Sequence, residues 1–235
     1  MKIATFNIDW AKKYSTKKQY LKIENFLNEQ HFDFLILTES IPLNLSNFKF
    51  RHFSTAIPEN SIYEKLNYSD YLNGEKAYRT SIYSNIAPKK QFLVCDDKTS
   101  VALEFETIFG PIVIYATIIG TRYKEQPFAE NELQNCIIDC ENIAKENKNI
   151  FIVGDLNTSF IKSEANYTIN KSTTDRLENL FKKHQLIIAT KQLPQNIDHI
   201  IIPSHLDFER IDAKVFIEKN KLSDHKGIAV HLIPK

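Results

Sequence analysis

The sequence predicts an α/β sandwich, in which β-sheets pack face to face and helices lie outside. Three observations predict it: many short apolar runs typical of buried strands, few segments with helical periodicity, and a hairpin turn at Phe109-Gly110-Pro111. A doubly wound parallel sheet would need more crossover helices than the periodicity indicates. Because 235 residues with 43% apolar content can bury one sizeable core, we expect a single domain over residues 1–235, with two small domains as the alternative.

Strand and helix patterns interleave along the chain. The predicted strands cover residues 2–6, 32–37, 81–83, 92–95, 101–105, 112–117, 150–153, 186–189, 198–202, 213–217 and 227–232. A first helix is predicted after a capping Ser15 or Thr16, a second over 128–144, and a third after a capping Ser172 or Thr173. Residues 41–74 are aromatic-rich and irregular, and residues 158–173 are predicted to form a loop.

Composition and charge do not indicate which kind of molecule the protein binds. The formal net charge of +1 gives no global field that would favour nucleic acid or a membrane surface. No apolar stretch is long enough to cross a bilayer, and the first strand leaves no room for a signal peptide, so we expect a cytoplasmic protein. Cys136 and Cys140 share one helical face with Leu133 and Ile137, which favours core packing over a zinc site.

Polar groups suited to catalysis or metal binding lie at the ends of several predicted strands. They are Asn7, Asp9, Glu39, Asp155, Asn157, Asp198, Asp224 and His225. Because ligands commonly bind at the carboxyl ends of strands, groups distant in sequence could meet there. Carboxylates, amides and one histidine suit Mg²⁺ binding and attack on a phosphate ester. Taken singly, each residue has an ordinary alternative as a turn or cap residue.

The Gly154-Asp155-Leu156-Asn157 motif combines a carboxylate with an amide. Side chains alternate along an extended chain, so Asp155 and Asn157 are expected on one side. Asp155 could take a proton from a water that Asn157 orients. The glycine would allow another group to approach the backbone closely, although an ordinary turn is the alternative interpretation.

Ser223-Asp224-His225 contributes the histidine of the candidate site. Adjacent side chains project in different directions, so Asp224 could reach a metal while His225 reaches a phosphate. A catalytic histidine needs an acceptor that fixes its tautomer and keeps it protonated, and Asp198 is the candidate. His199 then faces the opposite side and is interpreted as structural.

In this order, the motifs resemble the endonuclease/exonuclease/phosphatase superfamily, which includes AP endonucleases, deoxyribonucleases, sphingomyelinases and inositol polyphosphate 5-phosphatases. The resemblance extends across nearly the whole chain, through Phe6-Asn7-Ile8-Asp9, Leu37-Thr38-Glu39, Gly154-Asp155-Leu156-Asn157, Ile197-Asp198-His199-Ile200 and Ser223-Asp224-His225. It implies an α/β fold of four layers, an α/β/β/α sandwich of two mainly antiparallel or mixed sheets with flanking helices. It also places the site at one edge of the paired sheets.

The resemblance further implies a role for each motif residue. Asn7 and Glu39 match metal ligands for Mg²⁺, or Mn²⁺ in its place, with Asp9 near the metal and Asp224 as a metal-side acid. Asp155 and Asn157 match the pair that activates water and orients phosphate, and His225, paired with Asp198, matches the histidine that contacts the scissile phosphate. The implied activity is metal-dependent phosphodiester hydrolysis, most simply by a nuclease with a DNA or RNA substrate. A phosphatase or phosphodiesterase acting on a small or lipid-linked ester, and a catalytically weakened binding module, remain open.

One departure from the family pattern concerns substrate contacts. Many members end the strand that corresponds to residues 112–117 with a histidine or a tyrosine. Thr117 takes that position in a rough alignment, and Tyr115 lies one alternation away on the same face, so both are candidate substrate-binding residues. Arg79 could clamp a phosphate with two hydrogen bonds, or could be an ordinary surface arginine.

Overall fold

The computed structural model describes residues 1–10, 17–57, 76–120, 128–164 and 169–235, which form twelve strands and three helices. The strands are β1 Lys2–Asn7, β2 Phe34–Ser40, β3 Phe50–Phe53, β4 Tyr78–Ser84, β5 Pro88–Phe92, β6 Ser100–Thr107, β7 Gly110–Ile118, β8 Ile150–Asp155, β9 Leu186–Ile188, β10 Asp198–Pro203, β11 Phe208–Ile217 and β12 Gly227–Pro234. The helices are α1 Lys17–Asn28, α2 Phe128–Ile143 and α3 Lys171–Lys183. None of the helices in these ranges has the length and apolar content needed to cross a membrane.

The strands form two mixed sheets of six strands each. Sheet A has the order β11-β12-β1-β2-β4-β3, and sheet B has the order β5-β6-β7-β8-β10-β9. Each sheet has one parallel pair, β1 with β2 and β7 with β8, among antiparallel pairs. A helix connects the two strands of each parallel pair, as parallel pairing requires. The carboxyl ends of these central strands therefore lie at one edge of each sheet.

Three hydrophobic cores hold the layers together. Ile23 and Leu27 of α1 pack on sheet A, and Leu133 and Leu177, from α2 and α3, pack on sheet B. A third core fills the space between the two sheets, and every second residue of the central strands of each sheet contributes to it. This arrangement confirms the predicted four-layer sandwich, because each sheet buries one face on its partner sheet and the other on helices.

Several element predictions hold, and others shift by a few residues. Gly110, with φ of 79°, turns β6 back into β7, so the predicted hairpin is present. Cys136 and Cys140 are fully buried in α2, as core packing predicts. The strand predicted at 92–95 is instead β5, because the chain leaves the sheet after Phe92 and Leu93 is 97% exposed.

The irregular segment contains one strand that the pattern did not predict, and one cap differs. β3, Phe50–Phe53, pairs with β4 at the edge of sheet A. The N-cap of α3 is Asn170, whose side chain accepts from the Thr173 N–H, rather than Ser172 or Thr173. The predicted caps Ser15 and Thr16, and residues 58–74 of the irregular segment, lie outside the described residues.

Candidate active site

The structure brings side chains from both sheets together at one edge of the sandwich. Asp155 ends β8 and Asp198 begins β10, and the strand register places these two carboxylates side by side. From sheet A, Asn7 Nδ2 donates to Asp155 Oδ2 at 3.0 Å. His225 Nδ1 lies 2.8 Å from Asp198 Oδ2. Ligand atoms of Asp155, Asp198 and His225 lie within 4.8 Å of one another, so residues distant in sequence form one compact cluster.

Burial and mutual charge set the protonation of this cluster. Asp155 and Asp198 are each 1% exposed. Burial, followed by the charge of Asp198, raises the pKa of Asp155 to about 8, although His225 and the N–H donors of Asn157 and Asn7 oppose the rise. Burial by itself would lower the pKa of His225, but the charges of Asp198 and Asp155 outweigh it and raise the pKa to about 10. The imidazole is therefore cationic at neutral pH, with Nε2–H as its second donor.

Asn157 supports Asp155 mainly through its backbone. Its N–H donates to Asp155 Oδ1 at 2.8 Å, and its Nδ2 donates to Ile119 O at 2.9 Å. The residue has φ of 47°, so the chain has left the extended alternation that would place both side chains on one side. The role of Asn157 in orienting phosphate stays a prediction, whereas its hold on the Asp155 carboxylate is visible.

Gly154 allows the close backbone approach expected at this motif. A Cβ at this position would lie 2.0 Å from Thr117 O of the neighbouring strand β7. The φ of Gly154 is 143°, a backbone conformation that residues with a side chain rarely adopt. Any side chain here would push β8 away from β7 and move Asp155 with it.

Strained backbone gathers at the same edge. Asp9, Trp10, Glu39 and Asn157 have φ between 43° and 48°, a left-handed conformation that is uncommon for residues with side chains. They lie at the ends of β1, β2 and β8. Such conformations cost free energy and are concentrated at functional sites, so their grouping supports a functional role for this edge.

Buried polar atoms without a hydrogen-bond partner also concentrate here. Eight such side-chain atoms occur in the described ranges. Five of them belong either to a candidate site residue or to a residue at most two positions away from one along the chain. The five are Thr5 Oγ1, Thr38 Oγ1, Thr158 Oγ1, Asn196 Oδ1 and Asp198 Oδ1. Each costs about 1–3 kcal/mol unless a ligand satisfies it. A site rich in oxygen atoms of this kind fits a hard divalent cation such as Mg²⁺.

The remaining candidate metal ligands are Asp9, Glu39 and Asp224, which belong to segments at the same edge of the sandwich. The Asp9 N–H donates to Asn7 Oδ1 at 2.8 Å, which orients the Asn7 amide so that Nδ2 faces Asp155. Glu39 is half-buried near the end of β2, which pairs with β1. Asp224 is exposed beside a cavity of about 160 Å³ that Asp198 and His225 also line. Their roles at a metal stay predictions.

Tyr115 and Thr117 lie in the core on the helix side of sheet B, so their predicted role in substrate binding is not supported. Both side chains are fully buried. The Tyr115 hydroxyl donates to Asp139 Oδ2 of α2 at 3.0 Å, and Thr117 Oγ1 lies 2.8 Å from Ser100 Oγ. Asp155 belongs to the opposite face, between the sheets. The two residues do share one face, as alternation predicts, but it is the wrong face for contact with substrate.

Tyr115→Phe should therefore leave kcat and KM unchanged and lower the free energy of unfolding by about 1–3 kcal/mol, because Asp139 loses a buried donor. Steady-state kinetics and urea denaturation measure the two effects. A tenfold loss of kcat with unchanged stability would show that the hydroxyl reaches the reaction after all.

Arg79 is buried instead of lying on the surface. It is 5% exposed, and its Cζ lies 5.8 Å from the ring centroid of Trp10. The Trp10 Nε1–H in turn donates to Tyr78 O at 3.2 Å, which ties the loop after β1 to β4. The interpretation of Arg79 as an ordinary surface residue is therefore wrong, and phosphate binding by its guanidinium stays a prediction.

His199 has the structural role that the sequence indicates. Nε2 lies 2.8 Å from Thr158 O, and Nδ1 lies 3.0 Å from Thr190 Oγ1. Burial lowers the pKa of His199 to about 4, so the ring is neutral at physiological pH. It links the loop after Asn157 to β10 and thereby stabilises the edge that carries Asp155.

The fold is an α/β sandwich of two six-stranded sheets, and acid, amide and histidine side chains meet at one of its edges. The chain matches the model of the Endonuclease/Exonuclease/phosphatase family over residues 4–225 and belongs to that family. The family consists of hydrolases of phosphodiesters and phosphate esters, nucleases and phosphatases among them. No curated protein matches the sequence significantly.

Solved structures from several organisms have the same fold. The 3′ phosphatase NExo from Neisseria, bound to a product DNA hairpin, has a TM-score of 0.68 and 13% identity over 99% of both chains. A family protein from Beutenbergia cavernae has a TM-score of 0.69 and 13% identity over 100% of this chain and 71% of that one. Truncated TDP2 from Caenorhabditis elegans has a TM-score of 0.65 and 12% identity over 99% and 96%. At these identities the likeness shows the fold alone.

Proposed function

We propose that this chain, acting as a single domain, hydrolyses phosphodiester bonds with the help of Mg²⁺ and is a cytoplasmic nuclease acting on DNA or RNA. The observation that carries the proposal is that two hydrogen-bonded pairs, Asn7 with Asp155 and His225 with Asp198, lie side by side at an edge to which both sheets contribute. It combines a base, a cationic donor and oxygen ligands within one site. The free thiols of Cys95, Cys136 and Cys140 are compatible with a reducing compartment.

Asp155 is the candidate general base. Its carboxylate is held by the Asn157 N–H and the Asn7 amide, so its position is fixed before substrate binds. Burial and the neighbouring charge of Asp198 raise the pKa of Asp155 above the usual range of a carboxyl group, which makes its ionised form a stronger proton acceptor. Asp155 would take the proton of the attacking water as the bond to phosphorus forms.

His225 is the candidate donor to the phosphate. Its Nδ1–H donates to Asp198, which fixes the ring and keeps it cationic. The Nε2–H can then donate to phosphoryl oxygens whose negative charge grows in the transition state. The side chain of His225 is 14% exposed, enough for contact with a substrate at the surface.

Oxygen atoms on the sheet A side would hold the metal. Asn7 and Glu39 are the proposed ligands, with Asp9 and Asp224 nearby. A bound divalent cation would polarise a phosphoryl oxygen and neutralise developing charge. Asn7 then has two tasks, because its amide also fixes Asp155.

Two alternatives remain, one an enzyme with a different substrate and one from another functional class. A phosphatase or phosphodiesterase acting on a small or lipid-linked ester would use the same residues on a different substrate. A binding module with weakened catalysis is favoured by one observation: Tyr115 and Thr117 lie in the core, so neither supplies the phosphate contact that many family members place on this strand.

A single substrate panel distinguishes these functions. It contains supercoiled plasmid, single-stranded DNA, RNA, an abasic duplex, DNA with a 3′ phosphate and a chromogenic phosphodiester, each with Mg²⁺, Mn²⁺ or EDTA. We expect cleavage of a nucleic acid with Mg²⁺ and none in EDTA. Hydrolysis of only the small ester would favour the first alternative, and inactivity on every substrate with either metal would favour the binding module.

A further inference from the structure

A row of three side chains crosses sheet A beside the candidate site. The register pairs Asn7 of β1 with Thr38 of β2, and Thr38 with Thr80 of β4. Residues paired in this way project to the same face of a sheet. Asn7 reaches Asp155 across the space between the sheets, so the two threonines face sheet B as well.

The threonines of this face differ in their hydrogen bonds. Thr80 Oγ1 donates to Thr99 O, in the turn directly before β6 of sheet B, at 2.8 Å. Thr38 is fully buried, and its Oγ1 has no partner among the described residues. The same holds for Thr5, two positions before Asn7 on the same face. A buried hydroxyl without a partner destabilises a protein relative to a methyl group of the same shape.

Thr38 is a neighbour of both proposed cation ligands. Thr38 pairs with Asn7 and directly precedes Glu39. Its carbonyl accepts from the Ile8 N–H at 3.0 Å, which fixes its main chain against β1. Thr38 therefore lies beside both residues that are proposed to hold the ion, whereas Thr5 lies one row deeper, about 7 Å away along the strand.

We propose that the Thr38 hydroxyl belongs to the cation site and positions the ion through a hydrogen bond to water bound to it. The inference rests on the proposed function and goes beyond it, because it gives a role to Thr38, the residue of the Leu37-Thr38-Glu39 motif to which the resemblance assigns none. Mg²⁺ keeps several of its waters in protein sites, so groups that bind these waters affect affinity. A hydroxyl that gains its partner only when the ion binds accounts for both its burial and its lack of a protein partner.

Thr38→Val removes the hydroxyl with little change of shape and should have two opposite effects. In EDTA, the Tm should rise by about 2–4 °C, because an unpartnered polar atom is lost. The Kd for Mg²⁺ or Mn²⁺ should rise by about 10-fold or more, which is the usual effect of removing a residue that hydrogen-bonds to the ligands of a metal but does not bind the metal itself. Differential scanning calorimetry measures the first, and titration calorimetry together with Mn²⁺ EPR measures the second.

Two matched variants separate this role from a general effect of threonine removal. Thr5→Val removes the same kind of unpartnered hydroxyl one row deeper, so it should raise the Tm and leave the Kd unchanged. Thr80→Val loses the bond to Thr99 and should lower the Tm, again without a change in the Kd. Only the variant at position 38 should combine greater stability with weaker binding.

The possible failures are distinguishable. A wild-type Kd in Thr38→Val, or an equal loss of affinity in Thr5→Val, would overturn the inference and leave the proposed function intact. If the wild-type protein binds neither Mg²⁺ nor Mn²⁺, the metal dependence of the proposed function and the inference are both wrong.

Discussion

Replacing Asp155 by alanine should lower the rate of phosphodiester hydrolysis by about 10²–10⁴-fold, the usual contribution of a general base. Asp155 is the buried carboxylate that the site holds from two directions, through the Asn157 N–H and the Asn7 amide. The substitution removes the carboxylate that is proposed to accept the proton of the attacking water. Single-turnover kinetics on the best substrate of the panel, with Mg²⁺ present, measures the effect.

Asp139→Ala is a suitable control for Asp155→Ala. Asp139 is also a buried carboxylate at 2% exposure, but it lies in α2 and accepts from Tyr115 and the Cys95 N–H. This variant should lose stability and keep its rate per folded molecule. Turnover at the wild-type rate by folded Asp155→Ala would refute the assignment of Asp155 as the base.

The pairing of Asp198 with His225 could be predicted from the sequence on chemical grounds. A histidine that must stay protonated needs an anionic acceptor, and Asp198 is the carboxylate at the start of a strand that was still without a role. The structure places the two side chains 2.8 Å apart. Apolar runs with polar ends were informative because strand ends at one sheet edge meet wherever the sheets pack.

The face of a strand could not be predicted in the same way. Alternation shows that Tyr115 and Thr117 lie on one face of β7. Both faces of this strand are buried and carry mostly apolar side chains, so the sequence does not show which face is which. Only the packing of α2, where Asp139 accepts from the Tyr115 hydroxyl, determines which side faces the helices.

Strand register and backbone strain could not be predicted from the sequence either. Thr38 becomes informative only when β2 is aligned with β1, because only then does its hydroxyl lie beside Asn7. The positive φ of Asn157 breaks the alternation from which its side-chain direction was predicted. Tertiary contacts determine both features, and no local pattern records them.

Asp198→Asn should move the alkaline limb of the pH–rate profile to lower pH and reduce the rate at pH 8 by at least about tenfold. In the wild-type protein, the charge of Asp198 is the largest cause that raises the pKa of His225, ahead of Asp155 and against burial. Without that charge, only Asp155 and Asp224 oppose the effect of burial, so the pKa of His225 falls and the imidazole loses its proton at a lower pH than in the wild-type protein. A pH–rate profile, with NMR titration of His225 in metal-free protein, measures both effects.

The same change should alter the pH dependence of stability. The pKa of His225 is raised to about 10 from 6.5, so its charged form stabilises the wild-type fold fully below pH 6.5, and this contribution is lost as the pH rises toward 10. Asp198→Asn should therefore remove much of the fall in unfolding free energy over that range. Asp224→Asn is the matched control, because Asp224 is a lesser cause of the raised pKa and should shift the titration of His225 less. An equal shift in both variants, or none in Asp198→Asn, would mean that the bond between Asp198 and His225 does not control the proton on the imidazole.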